Sequence, residues 1–178
     1  WGLQSTAGGV RVVLENVKFV AAGINTHAVD VPRATIRDCC FELDTPQIID
    51  RHRIYDCAVA LRQAGDSRVT DSAFRGGQGC LTLMGGHGAR VSGNLLAGRQ
   101  TVTNHYSLAL TASRGCVIES NRFEPQRGSG LLVFRAAGNE IVRNSFRIVA
   151  ANANCEYTNA VYSTNAIRLT DYNAPAGS

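Results

Sequence analysis

The chain has 178 residues, 44% of them hydrophobic, and a formal net charge of +4, which is enough apolar content for one domain with a continuous core. The cationic excess comes from 17 Arg and the single Lys18 against 14 acids; it is mild and spread over loops, without the basic stripe and aromatic platforms of a nucleic-acid binder. With no run of about 18 apolar residues and no charged segment leading into an apolar one, neither a helical membrane span nor a retained signal peptide is expected.

Taken in chain order, one figure recurs: an aliphatic residue answered five places later by an aromatic or aliphatic one. It begins with Leu14 and Phe19 and continues with Ile36 and Phe41, Val69 and Phe74, Val91 and Leu96, Ile118 and Phe123, Ile141 and Phe146, and Ile167 and Tyr172. Five of the six Phe fall in the closing slot, and the spacings of 22, 33, 22, 27, 23 and 26 residues are those of a solenoid. Positions five apart lie on opposite faces of a straight strand, so both reach one core only if the chain bends between them. Asn94, Asn121 and Asn144 stand three after the opening aliphatic, and Asn tolerates the left-handed backbone such a bend needs. They are therefore expected to make the corner and to hydrogen-bond from coil to coil. In the first coils Val17, Cys39 and Ser72 take that slot while Asn16, Asp38 and Asp71 sit one place earlier, which predicts differently shaped corners there.

A second short strand precedes most rungs: Val29-Asp30-Val31, Val59-Ala60-Leu61, Leu81-Thr82-Leu83, Leu108-Ala109-Leu110 and Leu131-Leu132-Val133. Loops rich in Gly, Ser, Ala and Arg connect strand to rung, and no window carries a 3.6-residue apolar period. The expected fold is all-β: a single-stranded right-handed parallel β-helix of about seven coils, each built from three short strands, spanning residues 1–178 as one domain. At roughly 4.8 Å per coil the rod would be about 30 Å long.

The hexamers Ile118-Glu119-Ser120-Asn121-Arg122-Phe123 and Ile141-Val142-Arg143-Asn144-Ser145-Phe146 resemble the repeat of the pectate-lyase-like superfamily of right-handed parallel β-helices, over about Val10 to Tyr172. That resemblance implies architecture more than activity, because the fold carries lyases, hydrolases, epimerases, tail fibres and adhesins. The chain starts at Trp1 and its only Met is Met84, so it is expected to be a processed or excised part of a larger protein, or one whose open ends flanking domains or other subunits cover.

Six cysteines, at 39, 40, 57, 80, 116 and 155, show no metal-binding spacing. Cys39 in the corner slot predicts a small core residue. Cys57 and Cys80 fall at nearly equivalent places in adjacent coils; buried free thiols are preferred to a disulfide. No cofactor and no metal site is expected, and no acidic cluster suits calcium.

For chemistry, Asn25-Thr26-His27, Tyr55-Asp56-Cys57 and Gly77-Gln78-Gly79 are similar in position to the motifs of polygalacturonase-type glycoside hydrolases. In that family carboxylates on neighbouring coils act as acid and base. Here His27, Tyr55 and Gln78 replace the expected residues and only Asp56 survives, so the two-carboxylate mechanism is not supported. A stripe of Thr26 or His27, with Asp56, Gln78, His105 and Tyr106, is nonetheless expected along one side of the solenoid. Asp56, His105 and Tyr106 are its candidate catalytic groups, and His27 and Gln78 candidate sugar-binding groups; the competing reading is ordinary solvated residues at strand starts. The coil from Ile36 to Val69 is the long one, its excess placed from Asp44 to Arg53, where Arg51, His52 and Arg53 form a further candidate binding loop. Gly86-His87-Gly88 is out of register with the stripe and reads as a structural turn.

Two functions follow. A non-catalytic structural or adhesive module of a larger surface, phage-tail or assembly protein is placed slightly ahead of a carbohydrate-binding or polysaccharide-degrading module with a polysaccharide partner. The location expected is extracellular or surface-associated.

Overall fold

The computed structural model describes residues 3–5, 9–22, 29–44, 57–76, 79–98, 106–124, 129–147 and 167–170. Among them are nineteen strands and no helix, arranged as three parallel sheets. The chain enters through β1 (Leu3–Gln4), β2 (Arg11–Glu15) and β3 (Lys18–Ala22), which start the first, second and third sheets. Every later coil adds one strand to each in the same order.

The first sheet has seven strands: β1, Val29–Val31, Cys57–Leu61, Gly79–Met84, Tyr106–Thr111, Ser129–Phe134 and Ile167–Thr170. The second continues from β2 through Arg33–Arg37, Arg68–Thr70, Arg90–Ser92, Val117–Glu119 and Glu140–Val142. The third continues from β3 through Cys40–Asp44, Ala73–Gly76, Leu95–Ala97, Arg122–Phe123 and Ser145–Phe146. Parallel strands joined by crossovers in one sheet take a right-handed path.

The apolar figure is the register of this stack. Leu14, Ile36, Val69, Val91, Ile118 and Ile141 lie side by side in the second sheet. Phe19, Phe41, Phe74, Leu96, Phe123 and Phe146 do the same in the third. Phe19, Phe41 and Phe74 stack with centroids 5.0 and 4.8 Å apart, and Phe123 stacks on Phe146 at 4.6 Å. Leu96 interrupts the column, and the inner Phe rings, Phe41, Phe74 and Phe123, are fully buried.

Two expectations about the rungs are corrected. Ile167 pairs with Leu131 in the first sheet, so Ile167 to Tyr172 is not a seventh rung: the described residues form six three-strand coils and one further strand of the first sheet. Nor do Asn94, Asn121 and Asn144 adopt the left-handed backbone. That conformation falls one place earlier in all six coils, at Asn16, Asp38, Asp71, Gly93, Ser120 and Arg143. The early corners are therefore built like the late ones. The slot occupied by Asn points inward, and Cys39, Ser72, Asn94 and Asn121 there are all buried.

Those inward side chains do hydrogen-bond from coil to coil. The backbone N–H of Cys39 donates to Ser72 Oγ (3.1 Å), that of Ser72 to Asn94 Oδ1 (2.9 Å), that of Asn94 to Asn121 Oδ1 (3.0 Å) and that of Asn121 to Asn144 Oδ1 (2.9 Å). Each Asn amide returns a bond to the carbonyl of the previous coil's rung, Asn94 to Val69, Asn121 to Val91 and Asn144 to Ile118. A sharp turn buried in a core must satisfy its own N–H and C=O groups, and this ladder does so; no buried side-chain N or O among the described residues lacks a partner.

Connection length is shared unequally among the three joints. From second sheet to third it is always two residues, 16–17, 38–39, 71–72, 93–94, 120–121 and 143–144. From first to second it never exceeds six, as in 62–67 or 85–89. From third to first the intervals are 23–28, 45–56, 77–78, 98–105, 124–128 and 147–166. Most of the long coil's excess falls in this last joint, 45–56, where the loop was expected, and the first-to-second joint 62–67 adds to it; residues 45–53 lie outside those described.

Asn121 and Asn94 are the most connected members of the ladder, with five of its hydrogen bonds each. Asn121→Ala should lower the unfolding free energy by about 2–4 kcal/mol, because it strands buried groups on both neighbouring coils. Asn144→Ala, at a half-buried coil with one neighbour fewer, should cost less; urea denaturation of both variants checks the order.

Candidate functional site

In sequence, Asp56, Gln78 and His105 of the candidate stripe fall just before strands of the first sheet, and Tyr106 begins one. The strands beginning immediately after Asp56, Gln78 and His105 are Cys57–Leu61, Gly79–Met84 and Tyr106–Thr111. They pair in parallel, Cys57 with Gly79 and Leu81 with Leu108. Tyr106 is half-buried at the head of its strand and pairs with Ser129. It is the one candidate within the described residues: His27, Arg51, His52, Arg53, Asp56, Gln78 and His105 lie outside them. His87 is exposed in a first-to-second joint, where it bridges Arg114 through the backbone, in keeping with its turn role.

The first sheet itself is buried on both faces. Val29, Val31, Val59, Leu61, Leu81, Leu83, Leu108 and Leu110 point into the core, and the alternate residues Asp30, Ala60, Thr82 and Ala109 are buried as well. They form one column across the sheet. Asp30 is a carboxylate in that column, and Arg62 from the next coil grips it with two bonds, Nε to Oδ1 at 2.7 Å and a terminal nitrogen to Oδ2 at 2.8 Å. A paired fork of this kind is how a carboxylate is held away from water.

A second charged cluster crosses the outer face of the second sheet. Glu119 takes hydrogen bonds from Arg90 on the preceding coil and from Arg143 on the following one, the latter at 2.6 Å. The Arg90 bond, helped by Arg143, holds the Glu119 carboxyl below its ordinary value of 4.5. In the third sheet Lys18 and Glu42 pair at 2.8 Å, which raises the Lys18 ammonium and lowers the Glu42 carboxyl. Neither these clusters nor the Asp30 fork is visible in sequence, because their partners are about one coil apart and lie in different slots of the repeat. Aligning the coils by the Leu14 and Phe19 columns would have brought Arg90, Glu119 and Arg143 together.

The thiols are packing groups. Cys39, Cys57, Cys80 and Cys116 are buried, and the described cysteines are all free. Cys39 Sγ donates to the carbonyls of Leu14 and Arg37, and Cys57 Sγ to that of Val59. Burial pushes the Cys80 and Cys116 thiols up, and burial with the nearby Glu42 does the same to Cys40. They are protonated donors, whereas thiolates are nucleophiles and metal ligands. Cys39 fills the corner slot as expected, and Cys57 and Cys80 are unbridged.

These features define a parallel β-helix whose interior and two of three joints are given over to holding the rod. Residues 8–173 match the family model described as Periplasmic copper-binding protein (NosD). The chain belongs to that family, one of right-handed β-helices. No curated protein and no solved structure matches the chain. Among the described residues no three His, Cys, Asp or Glu side chains come together to hold a metal ion, and no helix is long and apolar enough to cross a membrane.

Two outcomes follow. Because Glu119 is held below its ordinary value, its contribution to stability is present above about pH 4.5 and is lost as pH falls through the lowered folded value. Glu119→Gln, which removes the carboxylate from between Arg90 and Arg143, should lower the melting temperature on the neutral plateau and flatten the acid side of the profile. In pulsed alkylation read by peptide mass, Cys40, the half-exposed thiol, should be modified first. Cys39, Cys57, Cys80 and Cys116 should be modified only as the protein unfolds.

Proposed function

We propose that the chain is a non-catalytic, structural or adhesive β-helix module working in the periplasm. It is a rigid rod that presents its binding groups along one edge, the joint from third sheet to first. The allocation of connection length carries this reading. Two joints stay short, two residues in every coil at one and one to six at the other, while the third ranges from two residues to twenty. In sequence position that third joint, with the strand heads beside it, gathers three of the four His, His27, His52 and His105, together with Arg51, Arg53, Asp56, Gln78 and Tyr106. Loops on a rigid scaffold are where recognition groups concentrate, and a solenoid aligns equivalent positions of successive coils into one extended surface. The carboxylates Asp30 and Glu119 are engaged by arginines in holding coils together, which supports a scaffold over an enzyme. The compartment is inferred from the family's description.

Copper, named in that description, finds no fitting donor set among the described residues. Their buried thiols are hydrogen-bonded to carbonyls at Cys39 and Cys57 and pushed up by burial at Cys80, and copper favours soft thiolate or imidazole ligands brought together in one site.

A polysaccharide-degradation screen and a glycan array, run on the wild type and Asp56→Ala, test the proposal. Neither protein is expected to release new chain ends; retention of a glycan without scission would assign the adhesive role. Scission by the wild type that disappears in Asp56→Ala would replace this reading with a polysaccharide lyase or glycoside hydrolase of the pectate-lyase-like kind.

A further inference from the structure

The outer face of the second sheet carries a patch of charge that the fold leaves unneutralised. Ile36, Val69 and Val91 point inward and are fully buried, so Thr35 and Arg37, Arg68 and Thr70, and Arg90 and Ser92 point outward on three successive coils. Register sets them in two rows, Thr35 beside Arg68 beside Arg90, and Arg37 beside Thr70 beside Ser92. Neighbours in a row are about 4.8 Å apart. The patch holds three guanidinium groups, three hydroxyls and no carboxylate, and it sets Arg68 directly against Arg90. Like charges at paired positions of a sheet are destabilising.

The patch's other two arginines each have a carboxylate. Arg37 meets Glu15 at 3.2 Å, and Arg90 is held by Glu119. Glu119 stands two places beyond Val117, the residue that pairs with Arg90. The same step taken from Arg68 passes through its partner Arg90 and ends at Ser92. Where Arg90 has a carboxylate, Arg68 has a hydroxyl. The corner acids do not replace it, because Asp66 Oδ1 lies beside Gly88 and Asp71 Oδ1 beside Gly93. Among the described residues the side chains of Arg68, Thr70 and Ser92 make no hydrogen bond or ion pair.

An anion seated on Arg68 meets a planar fork of two parallel donors, with two hydroxyls in the next row. A carboxylate has two oxygens, which the fork alone satisfies; a phosphate monoester has a third to take a bond from Thr70 or Ser92. The face is flat rather than concave, so a bare ion there keeps most of its water, and a carrier with further contacts is needed to hold it. Thr35 and Arg37 offer those contacts. None of the six side chains is apolar, which suits the hydroxyls of a sugar and not an acyl chain.

We propose that Arg68, with Thr70 and Ser92, binds the phosphate monoester of a phosphorylated sugar. The site lies on the outer face of the second sheet, apart from the third-to-first edge, and stands or falls independently of the adhesive role assigned to that edge.

Titration of the isotope-labelled chain with a hexose 6-phosphate, followed by amide NMR shifts, tests it, beside the same hexose without phosphate and inorganic phosphate alone. The hexose 6-phosphate should saturate in the millimolar range or below, with the largest shifts at Arg68, Thr70 and Ser92. Inorganic phosphate should bind several-fold more weakly, and the plain hexose should not bind. Arg68→Ala should weaken binding by about tenfold or more, and Arg68→Lys, which keeps the charge without the fork, should restore only part of it. Ser92→Glu puts a carboxylate where Glu119 stands to Arg90; it should abolish binding and raise the melting temperature. Both positions face solvent, and thermal melts confirm that each variant is folded. Inorganic phosphate binding as tightly as the hexose 6-phosphate, undiminished binding by Arg68→Ala or by a folded Ser92→Glu, or no shift at these three residues would overturn the proposal.

Discussion

The structure depends on the two-residue corner between its second and third sheets. It must turn a strand sharply enough that residues five apart, such as Ile118 and Phe123, enter one core. It must also leave none of the turn's polar groups unpaired in that core. Two adjacent residues divide the task. The first adopts positive φ, whether it is Asn16, Asp38, Asp71, Gly93, Ser120 or Arg143. The second points inward and, where it is Ser72, Asn94, Asn121 or Asn144, offers an oxygen to the previous coil's N–H. A serine hydroxyl satisfies that N–H as well as an amide does. The amide also reaches back to the rung carbonyl, as the weaker Cys39 thiol does to that of Leu14, so the ladder is densest in the later coils.

Once that corner is set, length has few places to vary. An added residue between the second and third sheets would invert the side chains of the next strand, since strand faces alternate with period two, and would break the Phe column. The first-to-second joint is limited by its own inward groups: Ser67 accepts from the Ala34 N–H and Asn139 from the Cys116 N–H. The third-to-first joint has tolerated everything from 77–78 to 147–166. Most of the variation was left to one edge because the other two are constrained by core register.

Charge follows the same logic. Arg90, Glu119 and Arg143 come from three successive coils, and Asp30 and Arg62 from two. Such pairs act as clasps along the rod axis, in the direction of the backbone ladder, instead of defining a local active centre. Cysteine is used likewise as a small buried filler. The rod's interior is thus stacked in short repeating columns, and a change in one coil is felt chiefly by the coils directly above and below it.

The amino-acid sequence by itself determined the solenoid class, the slot occupied by each aliphatic and Phe from Leu14 to Phe146, the inward small role of Cys39 and the coil-to-coil bonding of the Asn residues. All of these are periodic signals, and a parallel stack repeats one environment per coil. Only the tertiary structure decided which residue of the corner is left-handed, because Asn16 and Asp38 in that slot suit it while Ser120 and Arg143 carry no such preference. It also decided that Ile167 belongs beside Leu131 rather than beside Ile141, since an isolated aliphatic fits any sheet until its neighbour is known. The clasps on Glu119 and Asp30 were likewise hidden, as they join different slots of different coils. Of the candidate site the sequence supplied residues and a common edge. Tyr106 alone of these is among the described residues, and its place beside Ser129 was decided by register, because pairing between coils, not proximity along the chain, brings strand heads together.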